Sequence, residues 1–421
     1  MTVRVAIAVG LVCLTRPPAH AQQWSGAVSV LADTFPNRAR TPELRSRALV
    51  RTTIDAGARV RFTLAGLAEG LVAGGEGSGR DGIAEADDVS MDLTAARFDL
   101  RAGFTRAIWG RLDEIQPTDV INPLDLSHFF FEGREAARLP VALVRGRWHF
   151  SESKVLEVVF VPRFRPGRFD RLDEATSPFS PTGDTGSTTV VRRPSGAMWR
   201  ASQGGGRFTS STRRVDWTVG AYRGFRPLPV YRISGGAGPD APGVLIEGSY
   251  PGFTMVSGDF ETAFQRWAIR GEAVVSRDDA VPSSRGLALS RGRIVQAGLG
   301  ADRSLAGYRV LGEILYKWVA LDPGAIPADP LSADPAAFDR HAVSAVLVAE
   351  RRFARETRVL RAFGIYDATA RNGVVRGVAS IQLARRLWAE TAVGWFLGRR
   401  SGALGPFIDS DFLYVRLTSR F

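Results

Sequence analysis

Residues 215–224 read VDWTVGAYRG. Val215, Trp217, Val219 and Ala221 fall on one side of an extended chain, and Asp216, Thr218, Gly220 and Tyr222 on the other. Successive side chains of a strand point to opposite faces, so this is a strand with one apolar and one polar surface. The same division recurs along the chain. Val60, Phe62 and Leu64 oppose Arg59, Arg61 and Thr63. Phe98, Leu100, Ala102, Phe104 and Ile108 oppose Arg97, Asp99, Arg101 and Thr105. Trp267, Ile269, Ala273 and Val275 oppose Arg266, Arg270 and Glu272. Each alternating run is about as long as a tilted strand needs to cross a bilayer core, roughly 9–11 residues.

A soluble sandwich also alternates, with its apolar face turned inward. The connections favour a membrane barrel instead. Tight joins fall near 56–58, 97–98, 150–152, 212–214, 263–264, 303–306, 353–355 and 385–387. Longer polar segments fall near 34–45, 75–87, 111–137, 165–195, 228–248, 279–290, 321–340 and 400–408, with one short exception near 370–373. Short turns at one rim and long loops at the other are the rhythm of outer-membrane barrels. The final run, DFLYVRLTSRF (411–421), places Leu413, Val415, Leu417 and Phe421 on one face and Tyr414, Arg416, Thr418 and Arg420 on the other. A last strand ending in Phe421 resembles the signal read by the outer-membrane assembly machinery, which is an expected partner.

Counting back from Phe421 gives 16 segments beginning near Ala58, and Trp24–Asp33 and Ser46–Asp55 precede them. The expected fold class is therefore all-β: a single transmembrane antiparallel β-barrel of about 18 strands, or 16 if the first pair lies elsewhere. No later segment reaches the ~18 consecutive apolar residues of a membrane helix.

The N-terminus reads as an export signal. Arg4 precedes the apolar run VAIAVGLVCL (5–14), and Ala19-His20-Ala21 forms a small-residue cleavage site. The expected organisation is a signal peptide over 1–21 and a barrel over 22–421, exported to the outer membrane of a Gram-negative bacterium. The one cysteine, Cys13, lies in the signal, so the remainder has no disulfide, thiolate metal site or cysteine nucleophile. Losing Arg4 and Arg16 lowers the formal charge from +12 to +10. An exported location argues against nucleic acid as the target of that charge; outer-membrane lipid, lipopolysaccharide or an anionic solute remain.

The run FDLRAGFTRAIWGRLDEIQPTDVINPLDLS (98–127) carries Trp109-Gly110, then Asp113, then Asp119, Asn122, Pro123 and Asp125 in an Asp-x-x-Asn-Pro-x-Asp arrangement. In this pattern the chain resembles an uncharacterised family of proteobacterial outer-membrane porin-like barrels, similar in plan to the alginate-export porins. The resemblance runs loosely from Ser25 to Phe421 and implies a single barrel acting as a porin-like channel, with no substrate specified.

Asp113, Asp119, Asn122 and Asp125 offer oxygen ligands for a Ca²⁺-like cation. The same residues also cap turns, the favoured reading, and the loop that bears them is a candidate constriction, its Phe129-Phe130-Phe131 needing a wall to pack on. The second constellation is basic. Arg on a lipid face near midplane costs roughly 2–4 kcal/mol, so Arg59, Arg61, Arg97, Arg101, Arg145, Arg147, Arg266, Arg270 and Arg416 are expected to point into the lumen. Such a ladder favours anions, unless lumen acids such as Asp55, Asp99, Glu157, Asp259, Glu261, Glu272 and Glu313 neutralise it.

No catalytic set emerges. His149 and Ser151 are close in sequence but lack an ordered acid partner. Gly74-Gly75 and Gly204-Gly205-Gly206 lack the strand–loop–helix context of a phosphate cradle. Neither a cofactor site nor an enzyme is expected. The expected function is passive diffusion of small hydrophilic, anionic solutes. The alternative is a non-conducting structural or adhesin-like barrel whose lumen the 111–137 loop blocks.

Overall fold

The computed structural model describes residues 23–38, 42–73, 79–170, 172, 177–180, 188–192, 201–235, 245–283, 288–322 and 337–421. The expected signal segment over 1–21 and Gly74-Gly75 lie outside them. Twenty-one strands follow the alternating runs. The first seven are β1 (Gln23–Thr34), β2 (Glu43–Ala56), β3 (Val60–Ala73), β4 (Gly79–Thr94), β5 (Phe98–Thr105), β6 (Val141–Ser151) and β7 (Lys154–Val161). Next come β8 (Thr188–Arg192), β9 (Gln203–Ser211), β10 (Val215–Phe225), β11 (Val230–Gly235), β12 (Leu245–Ser249), β13 (Gly252–Phe264) and β14 (Trp267–Pro282). The last seven are β15 (Leu289–Leu305), β16 (Tyr308–Leu321), β17 (His341–Phe353), β18 (Arg358–Asp367), β19 (Asn372–Ala384), β20 (Leu387–Gly398) and β21 (Phe412–Arg420).

Eighteen of these form one sheet. Each strand pairs antiparallel with its neighbour in the chain, and β1 closes on β21 from Ala27↔Arg420 to Thr34↔Leu413. The ring has no free edge, so the backbone groups of the wall are paired from strand to strand around its circumference, as a hydrocarbon environment demands. The other three, β8, β11 and β12, make a small mixed sheet from long-loop segments that the sequence marks only as polar connections.

Alternation sorts the side chains as the pattern at 215–224 requires. Val219, Val256, Ile314, Leu347, Val393 and Trp395 are among the exposed apolar residues on the outside. Tyr222, on the opposite face of its strand from Val219, is buried inside. The buried aromatic core therefore lies within the ring, not between two sheets. One cluster gathers Phe130, Phe131, Phe396, Phe407, Phe412 and Tyr414; a second gathers Trp109, Ile121, Tyr222, Phe253 and Met255. Both are built on the segment between β5 and β6, which also contains the helices α1 (Leu126–Glu132) and α2 (Arg134–Ala137).

Candidate functional site

Residues 106–140 turn into the barrel instead of leaving it. β5 stops at Thr105, short of Ile108, because Arg106 is held inward by Asp87 (2.6 Å) and by the carbonyl of Arg138 (2.7 Å). Asn122 staples the two ends of the segment: its Oδ1 accepts from the Ala107 amide and its Nδ2 donates to the Leu139 carbonyl, both at 2.9 Å. Trp109 then enters the lumen, donates from Nε1 to Glu157 on β7 (2.7 Å), and meets Tyr222 of β10 edge-on at 5.7 Å. Gly110 follows at φ +98°, where an added Cβ would lie 2.7 Å from both Glu272 Oε1 and Thr118 Oγ1. The aromatic-Gly pair thus marks where the chain bends tightly around a wall carboxylate.

Two wall carboxylates grip the segment by its backbone. Glu272 on β14 accepts from the amides of Arg111, Leu112 (2.7 Å) and Thr118 (3.2 Å) and from the Thr118 hydroxyl (2.7 Å). Glu313 on β16 accepts from the amides of Asp113 (2.7 Å), Glu114 (3.1 Å) and Ile115 (3.3 Å). Between them Leu112 packs against bare backbone on β15: a Cβ at Gly298 or Gly300 would stand 2.5 or 2.9 Å from its methyl groups. Charges complete the docking. Arg111 pairs with Asp259 (2.6 Å) and Glu261 (3.1 Å) of β13, Asp113 with Arg270 (2.8 Å) and Arg309 (3.1 Å), and Glu114 with Arg361 of β18.

The helical half docks on the other side. Asp125 is fully buried as the N-cap of α1, accepting from the amide of His128 at 3.2 Å and the hydroxyl of Ser127 at 2.7 Å. Arg376 and the Tyr414 hydroxyl donate to the carbonyls of Phe130 and Phe131 at 2.8 and 3.0 Å. Glu132 lies between Arg416 (2.7 Å) and Arg47 (3.3 Å). Burial by itself would raise its pKa, but Arg416, His128 and Arg47 prevail and hold it at about 2.

The four acidic-loop residues therefore do not converge. Asp113 pairs with wall arginines, Asp119 with Arg134 (3.2 Å) and Arg138 (2.8 Å), Asn122 staples the segment and Asp125 caps a helix. No group of three or more His, Cys, Asp or Glu able to hold a metal occurs among the described residues. Of the basic residues, Arg59, Arg61, Arg101, Arg145 and Arg147 line one cavity of about 660 Å³ near the short-turn rim, together with Asp55, Asp92 and Asp99. A neighbouring cavity of about 650 Å³ under the folded segment shares Arg147 and adds Arg270 and Arg207. Arg416 holds Glu132 and Glu390. Arg97 and Arg266 correct the expected ladder: both sit in short turns at the rim, because their strands begin one residue later.

Pairing is extensive. Arg61 binds Asp55, Arg101 binds Asp88, and Arg147 binds Glu157. Arg59 and Arg145 have no carboxylate within ion-pair distance among the described residues, which leaves the first cavity with a positive excess. His149 bonds Asp99 at 2.7 Å, while the Ser151 hydroxyl faces Ser153 at 3.3 Å, so the two do not face each other as a nucleophile and base. Glu272 and Glu313, expected among the acids that neutralise arginines, instead hold loop backbone.

No protein-family model matches the chain, and no curated protein matches it by sequence. In structure it is similar to OccAB2 of Acinetobacter baumannii, with a TM-score of 0.53 at 8% identity over 95% of this chain and 98% of that one. It is similar also to OccAB1 of the same organism, with a TM-score of 0.52 at 9% identity over 95% and 96%. OccK1 (OpdK) of Pseudomonas aeruginosa superposes with a TM-score of 0.50 at 10% identity over 95% and 98%, and a structure of OpdK with vanillate gives the same TM-score. At these identities the likeness is one of fold. The chain has the 18-stranded barrel fold of the Occ/OprD-type outer-membrane porins.

Proposed function

We propose that this chain is an outer-membrane channel through which small hydrophilic solutes, anions in preference, diffuse past a constriction formed by residues 106–140. The observation that carries the reading is the segment's position: it lies inside a closed ring, anchored to wall strands, with charged cavities beside it. Its loop motif, with the resemblance to porin-like barrels and alginate-export porins noted above, supports the same role. The preference for anions rests on Arg59 and Arg145 in the cavity of about 660 Å³, where fixed guanidinium groups without acid partners attract anions and repel cations. Vanillate, the carboxylate held by one fold relative, is a suitable probe of that class.

A second reading, a barrel that does not conduct, is favoured by how much of the wall the segment touches, from Glu157 on β7 through Glu272 and Glu313 to Tyr414 on β21. Planar-bilayer recording separates the two. Discrete conductance steps from the purified chain are expected, and their absence would reject the channel. In a KCl gradient the reversal potential should report anion selectivity; a cation-selective value would sink that part of the proposal.

A further inference from the structure

The lumen absorbs most of the arginines, but not those on the outside of β10, β14 and β15. Val219 and Ala221 point outward on β10, and Arg223 continues their row toward the long-loop rim; Val275 does so on β14, and Arg277 follows it; Leu299, Ala297 and Val295 do so on β15, and Arg293 follows them, with Arg291 one pleat further. The register aligns them. Arg223 lies opposite Thr254 of β13, and Thr254 lies opposite Arg277. The β14–β15 ladder then shifts between Ser276 and Asp279, a bulge that falls at Arg277 and brings β15 in beside it. Strand spacing of about 4.8 Å puts Arg223 and Arg277 roughly 10 Å apart at their backbones, with Arg293 on the next strand.

All four arginines are exposed, and none makes an ion pair, side-chain hydrogen bond or ring contact among the described residues. Two outward arginines near the short-turn rim are different. Arg303 stacks on Trp267 at 5.4 Å, and Arg351 stacks on Tyr308 at 4.9 Å. Around the rest of the long-loop rim the outward positions are mostly uncharged, among them Leu44, Val72, Trp318, Val343, Tyr366, Leu397 and Leu413, with Arg80 opposite Val72 as an isolated exception. Most of the rim's outward cations are thus gathered on one arc of the wall, at the edge of the apolar belt, where a guanidinium costs little and can meet an anionic partner from outside the chain.

We propose that this arc is a binding site for the phosphorylated headgroup of an outer-leaflet lipid, with Arg223, Arg277 and Arg293 as its ligands and Thr254 between the first two. The lipid is favoured because the arginines border the surface its acyl chains must cover, so headgroup and chains bind together. Guanidinium groups bind phosphate oxygens in bidentate pairs, and a row of three engages more than one phosphate. The proposal depends on the barrel lying in the membrane and is independent of conduction.

The test is native mass spectrometry of the full chain with bisphosphorylated lipid A and with its dephosphorylated form. Wild type should retain the phosphorylated lipid, and R223Q/R277Q/R293Q should lose it by roughly 100-fold, as three interfacial cations imply. The dephosphorylated lipid should bind both weakly and alike. The triple lysine variant should bind in between, and Arg80→Gln, in an exposed position on β4 across the barrel, should bind like wild type. Heat-modifiable migration confirms that each variant is folded. Equal retention by wild type and the glutamine variant would overturn the site, and so would displacement of the lipid by inorganic phosphate.

Discussion

Removing the carboxylate of Glu313 should loosen the lumen segment without harming the barrel. Three consecutive amides, those of Asp113, Glu114 and Ile115, converge on this one side chain. Hydrogen bonds to a charged group are worth about 1.5–3 kcal/mol each. In Glu313→Ala water will satisfy part of the set, so a net loss equal to one such bond, about 2–3 kcal/mol, is the reasonable figure. At about 1.4 kcal/mol per tenfold, the unseated population rises roughly 30- to 150-fold. Glu313→Gln keeps one acceptor oxygen but loses the charge, which roughly halves the strength of each bond, so its rise should be about 5- to 12-fold. Single-channel recording reads this as brief steps to higher conductance, graded Ala over Gln over wild type. Deleting residues 114–130 should make the higher level permanent. If both point variants and the deletion conduct as wild type does, the segment is not the constriction and the argument from its anchors fails. The barrel itself should be unaffected, since Glu313 serves the loop and not the ladder between β15, β16 and β17.

Further outcomes follow from the same anatomy. Gly110→Ala places a methyl group 2.7 Å from both Glu272 and Thr118 at positive φ, so it should disturb the Glu272 grip by about 1–3 kcal/mol and give open-channel noise like that of Glu272→Ala; a quiet channel would show that the bend is not strained. Arg145→Gln together with Arg59→Gln removes the two arginines of the cavity of about 660 Å³ that have no acid partner among the described residues and should shift the reversal potential toward neutrality, whereas Arg61→Gln, which removes one charge and frees its partner Asp55, should shift it about half as far. Glu132 is held at about 2, below its unfolded value, so its contribution is fully present above about pH 4.5 and is lost only as pH falls through about 2. Hydrogen exchange in 126–132 should therefore be constant from pH 7 to 5 after correction for intrinsic rates, and an early rise would refute the Arg416 and Arg47 joint.

The wall was legible because its cause is local. A strand needs only its own ten or so residues to show which face meets hydrocarbon, and VDWTVGAYRG at 215–224 does so unaided. The turns add direction, so the strand count follows. Even the tight bend at Trp109-Gly110 left a mark, since positive φ selects glycine. What the segment docks on left none. Glu313 and the amides it accepts from are about 200 positions apart, and Glu272 and Leu112 are 160 apart. In the sequence both glutamates sit at inward positions like Glu157 or Glu261, which do pair with arginines. Nothing within their own strands distinguishes a carboxylate that will hold backbone from one that will hold a guanidinium.

The glycines opposite Leu112 show the same limit from the other side. Gly298 and Gly300 alternate in β15 as small residues on the inner face, and within a strand glycine weakens the ladder without a packing gain. Their sense comes only from a side chain almost 190 residues earlier that needs bare backbone to lie against. The arginines divide along this line. Most of those of the lumen have acids brought to them by the ring, on the wall as at Arg61 and Arg101 or on the segment as at Arg270, Arg309 and Arg361. Arg223, Arg277 and Arg293 face outward, where no described residue offers them an acid. Among the described residues, arginines without acid partners occur both in the cavity beside Arg145 and on the outer arc, and variants of the first should change ion selectivity while variants of the second change lipid retention alone.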